Sequence, residues 1–90
     1  MKQDNYEIKL DGVFTATVLS NQDPERNERL LVSVNGVHDE KTGVWATHCS
    51  NNYSISGGLP SINSIVYVMF LKDFTGNYNP NDIIWIGFKV

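Results

Sequence analysis

Apolar residues in this protein alternate with polar ones in short runs, and nowhere do they recur at the 3.6-residue spacing of a helix. Gly12 to Ser20 places Phe14, Ala16 and Val18 on one face and Val13, Thr15, Thr17 and Leu19 on the other, and it predicts strand one. Arg29 to Asn35 carries Leu30, Val32 and Val34 on one face and predicts strand two. Val44-Trp45-Ala46, running to about Cys49, predicts strand three. Ile65 to Leu71 is an almost unbroken apolar run, rich in β-branched and aromatic residues, and predicts strand four covered on both faces. Ile83 to Val90, with Trp85 and Gly87 inside it, predicts strand five.

The intervening segments are polar and rich in turn formers. Asn21 to Glu28 holds Asp23-Pro24, with proline at the second position of a type I turn, so strands one and two form a hairpin with a charged tip. Asn35-Gly36 to Gly43 is a glycine-bearing break, Ser50 to Asn63 a long loop suited to wrapping the barrel or touching a partner, and Lys72 to Asp82 another polar loop. Five strands without a helix leave open edges unless the sheet closes, so a small five-stranded antiparallel Greek-key barrel is expected. An immunoglobulin-like sandwich needs about seven strands and a spaced Cys, Trp and Cys set, which this sequence lacks. Strand count alone does not separate an OB barrel from an SH3-like one. Ninety residues suit one domain, with residues 1–11 read as a flexible lead into it.

Composition narrows the function classes. Cys49 is the sole cysteine, so no intrachain disulfide forms and a reducing compartment is expected. No apolar run approaches the roughly 20 residues of a membrane-spanning helix, and the opening Met1-Lys2-Gln3-Asp4-Asn5 does not read as a secretion signal. The net charge is −3 with cations scattered along the sequence, which argues against binding a nucleic-acid backbone.

Several residues carry chemistry-capable groups. His38, Asp39, His48 and Cys49 are metal-ligand types. They fall in adjacent pairs, however, and neighbours on a strand point to opposite faces, so each pair offers at most one ligand. No metal or cofactor is therefore expected; His38 reads as a polar strand-end residue and Cys49 as a small buried apolar one. No Gly-x-Ser-x-Gly elbow is present, and Glu25 with Glu28 falls in an exposed turn and not in a cleft, so no enzymatic activity is expected. Trp45, Phe70 and Trp85 suit a core. Tyr53, Phe74 and Tyr78, together with Arg26, fall in loops and are candidate contacts, either with protein or with stacked bases.

One stretch is more specific. Asp23-Pro24-Glu25-Arg26-Asn27-Glu28-Arg29-Leu30-Leu31-Val32-Ser33-Val34-Asn35-Gly36-Val37-His38, followed by Trp45-Ala46, resembles the OB-type barrel domain of contractile-tail spike proteins. In that family an Asp-Pro pair precedes an Arg-led strand ending in Gly, an aliphatic residue and His, with Trp soon after. Ile65 to Phe70 resembles the family's fourth strand, and Asn79-Pro80 with Ile86-Gly87 its last, so the resemblance covers residues 12–88. Asp23, Pro24, Arg29, Gly36, His38, Trp45, Pro80 and Gly87 are the matching positions, whereas Glu28 and Ser64 stand where glycines are expected. The resemblance implies a structural subunit of a phage tail baseplate, assembled in the host cytoplasm and carried in the virion. Its implied partners are hub and spike-tip proteins, and it implies a homotrimer. Because the family's lysozyme domain and β-helix do not follow the barrel here, needle and symmetry are expected to come from other proteins. A single-stranded nucleic-acid-binding OB protein is the alternative.

Overall fold

The structure is a computed structural model and describes residues 9–49 and 58–88. Five strands make up its regular structure: β1 Val13–Ser20, β2 Leu30–Ser33, β3 Val44–His48, β4 Ile65–Lys72 and β5 Tyr78–Phe88. They close in the order β1-β2-β3-β5-β4 into a barrel, and no helix occurs among the described residues. Four of the pairings are antiparallel; β3 and β5 run parallel, Ala46 opposite Ile83. Order and closure are those of an OB-fold-like barrel.

Closure depends on β1 serving two neighbours. Its first half pairs with β4, from Val13 opposite Met69 to Thr17 opposite Ile65. Its second half pairs with β2, Thr17 opposite Ser33 and Val18 opposite Val32, with an irregularity between Val18 and Ser20. Such a slip bends a strand and sharpens its twist, which a five-stranded sheet needs if its edges are to meet.

Alternation fills the barrel, as the sequence predicts for β1 and β2. Ala16 and Val18 from β1, Leu30 and Val32 from β2, Ala46 from β3, Val66, Val68 and Phe70 from β4, and Ile83 and Trp85 from β5 are all buried. Phe14 meets Phe70 edge to face at 5.2 Å between ring centroids. Trp85 is the largest fully buried side chain.

Four expectations are corrected. β4 is covered on one face only: Ile65, Tyr67 and Met69 are half-buried and Leu71 is 38% exposed. A barrel has a single interior, so an unbroken apolar run need not imply a second covering layer. β2 is shorter than Arg29 to Asn35, because Arg29 is drawn towards Asp23 and the backbone turns after Val34. β5 begins at Tyr78, not Ile83: Asn79 to Asp82 are exposed polar or proline residues and show no apolar alternation in the sequence. Cys49 is exposed, because it lies beyond the last paired residue of β3, while His48 before it stacks on Trp85.

Candidate functional site

The segment that joins β1 to β2 is organised by one carboxylate. Asp23 Oδ1 accepts the Glu25 amide at 2.9 Å and Oδ2 accepts the amides of Asn27 and Arg29 at 2.9 and 3.1 Å. The Arg29 guanidinium closes the set in a fork, Nη2 to Oδ1 at 2.9 Å and Nε to Oδ2 at 3.1 Å. Asp23 leaves only 2% of its side chain exposed. The Arg29 side chain, followed by the Glu25, Arg29 and Asn27 amides, outweighs desolvation and holds the Asp23 carboxyl well below the usual carboxylate range, while Asp23 raises Arg29. Pro24 sits at the second position of the turn closed by the Arg26 amide on the Asp23 carbonyl at 3.0 Å.

The same loop is held from both sides. Arg29 lies over the Trp45 ring at 5.0 Å, and from within the barrel the Trp85 indole N–H donates to the Glu28 carbonyl at 3.1 Å. Asp23, Pro24, Arg29 and Trp45 therefore form one corner. Glu28 adopts φ +60, the left-handed region that favours the glycine the family resemblance leads one to expect there. At the second departure the left-handed residue is Asn63, φ +72, one position before Ser64.

A second corner is built by His38. The turn Val34 to Val37 has Gly36 at φ +84 and delivers the imidazole back to its own strand. His38 Nδ1 accepts the Val34 amide at 3.1 Å, which leaves Nε2 to carry the proton and donate to the Pro80 carbonyl at 2.6 Å. Two matching positions 42 residues apart are thereby joined, tying the end of β2 to the extended part of β5. At Pro80 that strand offers no amide donor, and its carbonyl is already taken. Gly87, by contrast, has an ordinary φ and no described residue within 4 Å of where a Cβ would stand, so nothing among the described residues explains its being glycine.

The contact candidates separate. Phe74 is fully exposed at the tip of the β4–β5 hairpin. Asp73 braces that tip: its carboxylate accepts the Thr75 hydroxyl at 2.5 Å and the Thr75 and Asn77 amides at 2.9 and 3.0 Å. The Thr75 hydroxyl first, then the Asn77 amide, lowers the Asp73 pKa. Arg26 is exposed, with φ +56. Tyr78 is corrected: it opens β5, packs half-buried against the core, donates its hydroxyl to Asp11 and lies under the Lys72 ammonium at 5.1 Å. Tyr53 lies outside the described residues.

A cleft of about 700 Å³ opens between the β2–β3 connection and β1, lined by Thr17, Leu19, Ser33, Asn35, His38, Glu40 and Lys41. Both His38 nitrogens are engaged, so its ring is not available there as a base. Among the described residues no three His, Cys, Asp or Glu side chains gather as metal ligands. His48 instead stacks on Trp85 with centroids 4.1 Å apart and its Nδ1 3.7 Å from Glu28 Oε1. Sequence reasoning missed Gly43, whose φ is +61 and whose Cβ would lie 2.6 Å from Leu19 Cδ1 and 2.8 Å from the Val32 carbonyl. It also missed the Asp73 brace, although Asp-x-Thr-Gly-Asn is legible turn chemistry. No protein-family model matches the sequence, and no curated protein does.

Proposed function

We propose that this barrel is a structural subunit of a contractile phage tail baseplate, at the hub or central spike, and that it acts there as an assembly module. The observation that carries the reading is the use made of the residues on which the resemblance rests. Asp23 bonds to Arg29, Arg29 covers Trp45 and His38 bonds to Pro80. Groups spent on one another build stiff corners and leave none free to react. That is the economy of a spacer.

The contact surface we assign is the braced hairpin tip with Phe74, the Arg26 loop, and the outward face of β1, β4 and β5 with Val13, Leu71 and Ile86. A fully exposed phenylalanine on a pre-ordered turn loses little entropy on entering a neighbour's apolar pocket. Hub and spike-tip proteins are the partners of this reading, and self-association into a trimer belongs to it. Edge pairing through β5 is less favoured, since Pro80 blunts that strand.

The nucleic-acid reading has less to stand on. Trp85 is buried, Trp45 lies beneath Arg29 and Tyr78 is tied to Asp11, so the aromatics that would stack bases are largely committed. The deciding experiment is co-assembly. The protein is expected in purified tail particles, cross-linked to a hub protein through the Phe74 loop. Particles complete without it overturn the proposal, and quenching of tryptophan by an oligonucleotide in a salt-dependent titration would favour the alternative.

A further inference from the structure

We infer that Asn35 is a site of spontaneous deamidation, and that its conversion to isoaspartate releases the His38 strap from β5. Asn35-Gly36 is the sole Asn-Gly pair in the sequence. Both residues are exposed, and no described residue lies within 4 Å of where a Cβ on Gly36 would stand. No acceptor among the described residues engages the Gly36 amide or the Asn35 side chain. The two residues that must react are therefore exposed and unbraced among the described residues.

The other described asparagines are hindered, each for its own reason. Asn21 has its side chain held by the Pro60 carbonyl, and the following Gln22 amide donates to the Ser20 hydroxyl. The Ser64 amide after Asn63 donates to the Ser61 carbonyl. Asn77 donates its side chain to the Thr75 hydroxyl, and Asn81 lies inside β5. Asn79 precedes Pro80, which has no N–H to attack with. Asn27 is followed by Glu28, whose Cβ crowds the approach and whose φ of +60 is already the costly one.

The chemistry balances with water alone. The Gly36 amide nitrogen gives up its proton to solvent base and attacks Asn35 Cγ. The bond between Cγ and Nδ2 breaks and ammonia leaves, closing a five-membered imide. Water then opens the imide at either carbonyl. One opening gives aspartate with the original backbone; the other gives isoaspartate, whose backbone runs through Cβ and Cγ and is longer by a methylene. Ring closure requires the peptide plane between residues 35 and 36 to rotate, and glycine permits this because it populates both signs of φ.

The consequence follows from the tightness of the turn. The amides of Val37 and His38 both donate to the Val34 carbonyl at 3.0 Å, and the imidazole reaches Pro80 only from that geometry. An added backbone carbon between Val34 and His38 breaks the register of these bonds. Replacement by aspartate with an ordinary backbone does not.

The test is incubation of the folded protein in mildly alkaline buffer, followed by tryptic mapping and labelling with an isoaspartate-specific methyltransferase. The Leu30–Lys41 fragment should be the first asparagine fragment of the described residues to gain the mass difference of oxygen over NH, and it should accept the label. The Asn35→Gln variant should lose both signals. In the converted fraction the Val34 amide should lose hydrogen-exchange protection, which Asn35→Asp should retain. Conversion of this fragment in the urea-unfolded protein but not in the folded one overturns the site; unchanged Val34 protection in the isoaspartate fraction overturns the strap.

Discussion

Replacing Trp85 by phenylalanine tests the central packing claim, because this one side chain fills the barrel and also holds the β1–β2 connection. It is 1% exposed, donates to the Glu28 carbonyl at 3.1 Å and carries His48 stacked on its face. Phenylalanine removes the donor, at about 1 kcal/mol for a net hydrogen bond. It also leaves a void of roughly 35 Å³, about 0.8 kcal/mol at the usual cavity cost, and gives up a transfer term of about 1 kcal/mol for the lost ring atoms. Together these come to about 2–3 kcal/mol, which for a domain of this size lowers Tm by about 10–20 °C. Urea denaturation followed by far-ultraviolet circular dichroism measures it independently of the altered fluorescence. Hydrogen exchange should also show faster opening in residues 25–29. A loss below about 1 kcal/mol at unchanged m-value would mean that Trp85 is not the keystone its burial indicates.

The folded-state pKa of Asp23 is depressed, so its contribution is fully present above the unfolded value near 3.9 and is lost as pH falls below it; urea midpoints should drop in acid, and less steeply in Asp23→Asn. An equal acid slope in the variant would refute that assignment. Gly43→Ala meets left-handed strain of about 1–2 kcal/mol and overpacking of about 1–3 kcal/mol against the fixed Val32 carbonyl; a thermal melt within a degree or two of the parent would contradict it. Glu28→Gly relieves the strain at φ +60 and should raise the stability measured by urea denaturation by up to about 1 kcal/mol. A fall would mean that the Glu28 side chain, 3.7 Å from His48, outweighs the backbone gain.

Much of the barrel was legible because burial imposes a period of two. Phe14, Ala16 and Val18, or Leu30, Val32 and Val34, declare an inward face without reference to any other part of the sequence. The Asp23-Pro24 turn was legible for a similar reason, since its chemistry is local. Strand ends were less so. Nothing in Tyr78 to Asp82 signals a strand, because that stretch is ordered by pairing with β4 and by the His38 bond, not by a face of its own. Cys49 misled because small and apolar describes a residue, whereas burial describes its place relative to the end of β3.

By itself, then, the sequence determined that the protein is built of short strands, which side of β1 and β2 faces inward, and where the Asp23-Pro24 and Asn35-Gly36 turns fall. These depend on neighbours a few positions apart. Tertiary structure alone decided that β3 runs parallel to β5, that β1 is shared between β2 and β4, and that Asp23 collects its donors while His38 finds Pro80. The cause is the range of the interactions: a side chain's polarity is its own, but a hydrogen bond across 42 residues exists only once the barrel has closed.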